Sequence, residues 1–312
     1  MVFDKQLIII GGKGGVGRTT VALALGTTLA RHGRRVLVTH ARSKQRLANL
    51  LGCPHVGEQI CAVEENLWAV NMNPTAAIRE IGMMVLRFKT LYNAVLENKL
   101  VKHFLRAVPA LEQYSMLGKA WFHTTEKLAD GRPKYDTVIF DGPATGHLIN
   151  MLRIPQVILD TVPSGPLIRD AEKAQQLLSD ARRAMMWIVT LAEEMPVSET
   201  LDLHRAATQE LGIHVGGIIV NQLYPDDFQR DDILRGDLQR LRGHCSEPQL
   251  KQMVRAAQTM CSRRDINNKY MEILDKKLSL PRAELPNLFV DELDRDSLDT
   301  LSRRLDRSLI GL

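Results

Sequence analysis

Cysteine is scarce in this sequence, and the cysteines that occur are not arranged for metal binding. The 312 residues include four cysteines. No two of them form a C-x-x-C pair, and none lies at zinc-finger spacing from histidines. A structural zinc site and a disulfide framework are therefore disfavoured. We interpret the cysteines as free thiols in a reducing compartment.

Long apolar runs and concentrated positive charge are also absent. No run of about 18 apolar residues is available for a membrane span, and the apolar stretch near the N-terminus is too short for a secretory signal. The formal net charge is +5, yet no five lysines or arginines follow one another. These absences predict a cytoplasmic protein. Because the positive charge is dispersed, no nucleic-acid partner is expected.

What the sequence does contain is a regular alternation of short apolar segments with helical ones. The apolar segments show little polar alternation, which is typical of strands covered by helices on both faces. The predicted strands are Leu7–Ile10, Val36–Thr39, Leu67–Val70, Thr137–Phe140, Trp187–Thr190, Gly217–Val220 and Leu288–Val290. The pattern predicts an α/β fold with a doubly wound, mostly parallel sheet, in a single domain over residues 1–312. Residues 228–277 are expected to be charged and helical, with a last helix near Arg295–Leu309.

One segment interrupts this alternation and predicts a helical insertion over residues 72–130. Apolar residues between Ile78 and Val95 recur every three or four positions, which places them on one helix face. The methionines of this region are Met72, Met83, Met84 and Met116. Methionine-rich helices can form adaptable hydrophobic grooves. Filling a core is the more frequent role, so both interpretations stay open.

A glycine-rich loop lies between the first strand and a helical segment. Residues 12–20 read GKGGVGRTT, which matches G-x-x-x-x-G-K-[ST] at every fixed position except one, where Arg18 replaces lysine. Such a loop points its N–H groups inward as a nest for phosphate oxygens, and the helix N-terminus adds partial positive charge. The predicted binding residues are Gly12, Lys13, Gly14, Gly15, Val16, Gly17, Arg18, Thr19 and Thr20. The loop predicts a P-loop protein that binds a nucleoside triphosphate, and a purely structural glycine turn is the alternative.

Two residues are predicted to hold Mg²⁺. Thr19 stands where the metal-ligating hydroxyl of the loop belongs. Asp141 follows the apolar segment Thr137–Phe140, and an aspartate at the carboxyl end of a strand faces the ligand crevice of an open α/β sheet. Beside a phosphate loop, such an aspartate can hold the hydration shell of Mg²⁺; a helix cap or turn is the alternative. The predicted catalytic residues are Lys13, Arg18 and Asp141. Residues 145–147, Thr-Gly-His, are predicted to form a short polar loop that senses the terminal phosphate.

Several of these segments resemble the arsenical-pump and guided-entry ATPase family, a deviant-Walker group of P-loop ATPases. The matching segments are residues 13–19, 141, 145–147, 151–155, 164–167, 190–197 and 221–222. The resemblance implies a dimer that binds ATP and Mg²⁺ between its subunits and couples the nucleotide state to a hydrophobic protein client or a membrane-protein partner. It also implies that Lys13 reaches the phosphates of the facing subunit and that Asn221 contacts adenine. The loop after Pro286 is expected to complete the base pocket.

The second strand departs from this family. There it ends in an aspartate followed by Pro-Ala, and that aspartate orients the attacking water. Here the strand ends in His40-Ala41-Arg42, and no Asp or Glu occurs from Val36 to Gly57. Arg18 keeps the charge of the loop lysine but not its compact geometry. We therefore expect ATP binding with slow hydrolysis. The alternative is a catalytically degenerate subunit that pairs with and completes an intact sibling, so homodimer and heterodimer both stay open.

Overall fold

The described strands form one sheet. A computed structural model of the chain describes residues 2–41, 46–73, 77, 111–161, 166–225 and 246–310. The strands are β1 (Leu7–Gly11), β2 (Val36–Ala41), β3 (Cys61–Glu64), β4 (Leu67–Met72), β5 (Thr137–Asp141), β6 (Ala184–Leu191), β7 (Val215–Leu223) and β8 (Arg282–Pro286). Their order in the sheet is β3-β4-β2-β5-β1-β6-β7-β8. All neighbouring pairs are parallel except β3 and β4.

Helices cover both faces of this sheet. They are α1 (Arg18–Arg31), α2 (Arg46–Leu51), α3 (Leu111–Thr125), α4 (Thr145–Thr161), α5 (Pro166–Ser179), α6 (Glu194–Arg205), α7 (Glu247–Lys277) and α8 (Arg295–Ile310). A π-helical segment, Ala206–Glu210, continues α6. None of the helices in the described part of the chain is long and apolar enough to cross a membrane.

Two apolar cores lie on the two faces of the sheet. On one face α1, α2 and α8 pack together, with Leu25 and Leu305 fully buried between them and the strands. On the other face α3, α4 and α6 supply a second core that includes Leu148 and Leu203. Every residue of β1 and β5 is buried, as expected for strands with helices on both sides. The predicted doubly wound, mostly parallel α/β fold is confirmed.

The carboxyl ends of the parallel strands meet at one edge of the sheet, and α7 is fastened to that edge. Asn267 of α7 is buried, and its Nδ2 donates a hydrogen bond of 3.1 Å to the carbonyl of Ala192, just after β6. Its Oδ1 accepts a hydrogen bond of 3.0 Å from the backbone N–H of Tyr224, just after β7. A single amide therefore links the long helix to two strand ends.

The last predicted strand is wrong. Leu288–Val290 is not a strand, and the strand of this region is β8, which ends at Pro286. Pro286 has no backbone donor to continue a ladder. Beyond it, the side-chain oxygen of Asn287 accepts a 2.9 Å hydrogen bond from the N–H of Phe289, and Phe289 has a positive φ of 52°. This local turn is incompatible with an extended strand.

Three other features differ from the sequence-based prediction or go beyond it. Strand β3 was not predicted, because its apolar run, Cys61–Val63, is only three residues long and ends at Glu64. Residues 145–147 are the first turn of α4 and not a polar loop. Within the predicted insertion, Met72 ends β4 and residues 111–125 form α3, whereas the predicted helix from Ile78 to Val95 lies outside the described residues.

Candidate functional site

The backbone of the loop between β1 and α1 requires glycine at particular positions. Gly12, Gly15 and Gly17 have φ values of 140°, 87° and 88°. A Cβ on Gly12 would lie 2.2 Å from the carbonyl oxygen of Val189 in the neighbouring strand β6. A Cβ on Gly17 would lie 2.3 Å from Nδ2 of Asn221. The loop therefore passes too close to β6 and β7 for a side chain at Gly12 or Gly17, whereas at Gly15 only the positive φ favours glycine.

Asn221 fixes the loop from the end of β7. Its Nδ2 donates a hydrogen bond of 2.9 Å to the carbonyl of Val16, and the Val16 side chain is buried in the core. Gly17 is the N-cap of α1 and supplies no side-chain hydrogen bond to the helix. The N-terminus of a helix without a side-chain cap is a ready site for anions. The uncapped N-terminus of α1 thus lies where the glycine loop ends.

Thr19, Asp141 and His40 come together beside the loop. The hydroxyl of Thr19 donates a 2.7 Å hydrogen bond to Oδ2 of Asp141. In the sheet, Asp141 at the end of β5 lies opposite His40 of β2. Nδ1 of His40 is in ion-pair contact with the same Oδ2 atom, at a geometry that does not make a hydrogen bond. The two predicted metal residues are therefore in direct contact, and His40 shares their carboxylate.

Arg18 binds the turn that follows β5. Its Nη1 donates a hydrogen bond of 2.8 Å to the carbonyl of Gly142, the residue after Asp141. Burial lowers the pKa of the Arg18 guanidinium, and the nearby Asp141 carboxylate raises it, but an arginine keeps its charge in either case. The Arg18 side chain is thus held at the turn after β5.

Lys13 pairs with a residue that the sequence pattern did not identify. Its ammonium is in ion-pair contact with Glu199 of α6, and each side chain is 32% exposed. Glu199 lies two residues beyond the matching segment 190–197, and no loop motif includes it. Helix α6 follows β6, which is paired with β1, so the topology brings α6 beside the loop. Only the order of the strands could have suggested this contact.

Thr145 contributes a buried hydroxyl at the start of α4. Its Oγ1 has no hydrogen-bond partner among the described residues. Gly142 precedes it in the same turn, and a Cβ there would lie 2.8 Å from a Leu148 methyl group and 3.0 Å from the Ile10 carbonyl. The turn from β5 to α4 is therefore packed tightly against β1. A buried hydroxyl without a partner is unusual, and a bound ligand is one way to satisfy it.

A cavity of about 480 Å³ opens next to the loop. It lies between the start of α1, the end of β7 and the segment that follows β8. Residues from these three elements line it, together with two residues of α2: Gly17, Thr20, Asn49, Leu50, Asn221, Gln222, Pro286, Asn287 and Phe289 are among them. Tyr224 packs edge-on against Phe289, with ring centroids 5.4 Å apart. Thr20, Asn221 and Pro286 thus line one cavity beside the loop.

Three features define the P-loop class of nucleotide-binding folds. They are the sheet order, the loop between β1 and α1, and the contact of Thr19 with Asp141. A family model confirms and narrows this assignment, since that of the anion-transporting ATPases matches residues 5–164 and 166–240. The chain belongs to this ATPase family. The resemblance to arsenical-pump and guided-entry ATPases is therefore confirmed.

Three relatives illustrate the range of this family. ATPase BagA of Mycobacterium tuberculosis is 28% identical over 322 residues, which cover 96% of this chain and 92% of BagA. ATPase GET3 of Kluyveromyces lactis is 23% identical over 263 residues, which cover 72% of this chain and 74% of GET3. A Halobacterium salinarum protein, provisionally named an arsenical pump-driving ATPase, is 25% identical over 244 residues, covering 73% of this chain and 37% of that protein. Each of the three is named as an ATPase.

The loop geometry predicts that two neighbouring glycine substitutions have different effects. Gly12→Ala introduces a methyl group against a backbone carbonyl at a positive φ and should lower the free energy of unfolding by about 2 kcal/mol or more. Gly14→Ala is the matched control, because nothing lies within 4 Å of its Cβ position, and a change within about 0.5 kcal/mol is expected. Urea unfolding followed by circular dichroism measures both. Equal losses in the two variants would contradict the described loop geometry.

Proposed function

We propose that this chain binds ATP and Mg²⁺ at the loop between β1 and α1 and acts as a slow, dimeric ATPase. The observation that carries the proposal is the 2.7 Å hydrogen bond from Thr19 to Asp141. It joins the metal hydroxyl of the glycine loop to the strand-end carboxylate that P-loop ATPases use. A structural glycine turn has no need of this pair. Membership of an ATPase family supports the same reaction.

The residues present fit a triphosphate. Gly15 has a φ of 87°, and nothing lies within 4 Å of the place where its Cβ would be, so this part of the backbone faces open space. The unpartnered hydroxyl of Thr145 lies at the start of α4, in the segment predicted to sense the terminal phosphate. Backbone N–H groups of the loop and of the first turn of α1 would bind the phosphates.

Thr19 and Asp141 would hold Mg²⁺. When bound, the metal neutralises the charge that develops on the transferred phosphoryl group. Thr19 would turn its hydroxyl from Asp141 to the metal, and Asp141 would hold the metal's water shell. His40 already contacts Asp141, so it would have to share or yield this carboxylate. Arg18 would act on the phosphates only after leaving the Gly142 carbonyl.

Asn221 and Pro286 would bind the base in the cavity beside the loop. One N–H of the Asn221 amide is donated to the Val16 carbonyl, and its amide oxygen would accept a hydrogen bond from the amino group of adenine. Pro286 supplies an apolar surface at the end of β8. The same asparagine therefore links base recognition to the position of the phosphate loop.

The end of β2 supports slow hydrolysis. Phosphoryl transfer to water requires a group that positions the water. His40 stands at the end of the second strand, where the family has an aspartate, and its ring is in contact with Asp141. No carboxylate therefore stands at this strand end to position the water. The loss of one positioned polar group typically lowers a rate by about 10²–10³.

The proposed dimer is supported by the position of Lys13 and by membership of the ATPase family. Lys13 is partly exposed at the carboxyl edge of the sheet, where a second subunit can bring its own phosphates. The nucleotide state would then decide whether two subunits close on each other and which surface a hydrophobic protein client or membrane-protein partner meets. The second candidate is a heterodimer in which this chain completes an intact sibling. It is favoured by Arg18 and His40, which replace the lysine and the aspartate expected at these positions.

Isothermal titration calorimetry with ATP and Mg²⁺ tests nucleotide binding. We expect binding by the wild-type chain and a loss of at least about tenfold in affinity for Thr19→Ala, because the metal loses a hydroxyl ligand. Thr300→Ala on α8 is the control and should bind as the wild type does. The absence of binding at millimolar nucleotide, in the chain alone and in the chain with a sibling, would refute the proposal.

The rate of hydrolysis is a separate prediction. The purified chain should turn over more slowly than about 1 s⁻¹, the lower end of ordinary enzyme rates. His40→Asp should raise the rate, since it restores a carboxylate at the end of β2, whereas His55→Asp, at an exposed histidine, should not. A steady-state phosphate-release assay measures all three. Turnover by the wild type at 1 s⁻¹ or faster would exclude slow hydrolysis.

A mixing experiment tests whether Lys13 acts on the facing subunit. Lys13→Ala and Asp141→Asn chains should each be nearly inactive. In a mixed dimer, the Lys13→Ala subunit keeps its own Asp141 and receives Lys13 from its neighbour, which completes one site. A one-to-one mixture should therefore recover about a quarter of the wild-type rate, since half of the dimers hold one complete site of two. No recovery, despite mixed dimers seen by native mass spectrometry, would show that Lys13 acts within its own subunit.

A further inference from the structure

Glu199 is held in a fixed position next to the phosphate loop. Helix α6 is anchored by its buried face, where Val197, Thr200 and Leu203 pack against the sheet. The hydroxyl of Thr200 donates a 2.8 Å hydrogen bond back to the carbonyl of Pro196. The packing of Val197 and Leu203 holds the helix against the sheet. The carboxylate of Glu199 is thereby presented to the loop.

The ion pair with Glu199 engages Lys13, the side chain that is proposed to act on another subunit. A lysine ammonium is a donor with no acceptor, so it is always matched by an anion or by water. The other cation of the loop, Arg18, is bound to the Gly142 carbonyl near Asp141. Lys13 is instead neutralised by Glu199, on a different helix and away from the metal residues.

We propose that Glu199 is a positioning residue that holds Lys13 within its own subunit until the phosphates of a facing subunit release it. The inference rests on the proposed dimeric function and adds a regulatory partner for Lys13. Two side chains that are one-third exposed form only a weak ion pair, because water screens it. A triphosphate carries several negative charges, so the lysine gains more from the phosphates than it loses with Glu199. Glu199 therefore delays closure of the dimer without preventing it.

The two competing anions explain why the carboxylate is on α6 and not on the loop. A carboxylate on the loop would move with Lys13 and repel the phosphates that the loop binds. A carboxylate on α6 stays behind when Lys13 turns to the neighbouring subunit. The freed Glu199 then carries an unpaired negative charge at the subunit edge. Closure is consequently favoured only while phosphates are present to hold the lysine.

Chemical modification of Lys13 tests the contact without nucleotide. The full chain is treated with a low dose of acetic anhydride, and acetylation of Lys13 is measured by mass spectrometry relative to the exposed Lys173. Glu199→Gln should raise acetylation of Lys13 about two- to fivefold, the range that corresponds to an ion pair of this exposure. Glu194→Gln, on the same helix, is the matched control and should leave it unchanged. Glu199→Asp should lie between wild type and Glu199→Gln. Equal acetylation in Glu199→Gln and Glu194→Gln would overturn the proposal.

Sedimentation of the same variants tests the release by nucleotide. With saturating ATP and Mg²⁺, the Glu199→Gln chain should form dimers at about two- to fivefold lower protein concentration than wild type and Glu194→Gln. A thermal melt confirms that the variants are folded equally well. Unchanged or weaker dimerisation of Glu199→Gln would overturn the positioning role. If the wild-type chain binds no ATP, the proposed function is refuted instead. The acetylation experiment uses no nucleotide, so it tests the contact of Lys13 with Glu199 independently of that function.

Discussion

Asp141 carries a carboxylate that is only 2% exposed, and a buried charge is tolerated only where donors or cations surround it. Its contacts come from two distant parts of the sequence: Thr19 lies at the start of α1 and His40 near the end of β2. Arg18, beside Thr19, binds the carbonyl of the next residue, Gly142. The position of the glycine loop, the end of β2 and the turn into α4 all depend on this one charge. Loss of the carboxylate would leave the side chains of Thr19 and His40 without this partner in the same small volume.

Local patterns in the sequence were enough to predict the centre of the fold and the loop. The strands β1 and β5 are apolar throughout, and glycines stand where the backbone has positive φ or touches a neighbouring strand. Such features depend on residues close to one another in the chain. Thr19 and Asp141 were each predicted as metal residues, one from its place in the loop motif and the other from its place after an apolar strand, whereas their direct contact was not predicted.

Other features depend on contacts between distant residues, and no local pattern carried them. Phe289 adopts its turn because of the side chain of Asn287 and because the preceding strand already ends at Pro286. Strand β3 exists because β4 offers it a partner, and its own residues have little preference for a strand. Glu199 meets Lys13 only because β6 lies beside β1. In each case contacts between distant residues determined the local structure, because the local sequence had no strong preference of its own.

The two outer strands of the sheet limit how copies of the chain can associate. An exposed sheet edge is a template for another strand unless it is short, irregular or charged. Strand β3 has four residues and an irregular register with β4. Strand β8 carries the charged pair Arg282 and Glu284 and ends in a proline that cannot donate to a ladder. A continuous sheet through two copies of the chain is thus disfavoured at both margins, so the backbone ladder of the described sheet stays complete within one chain.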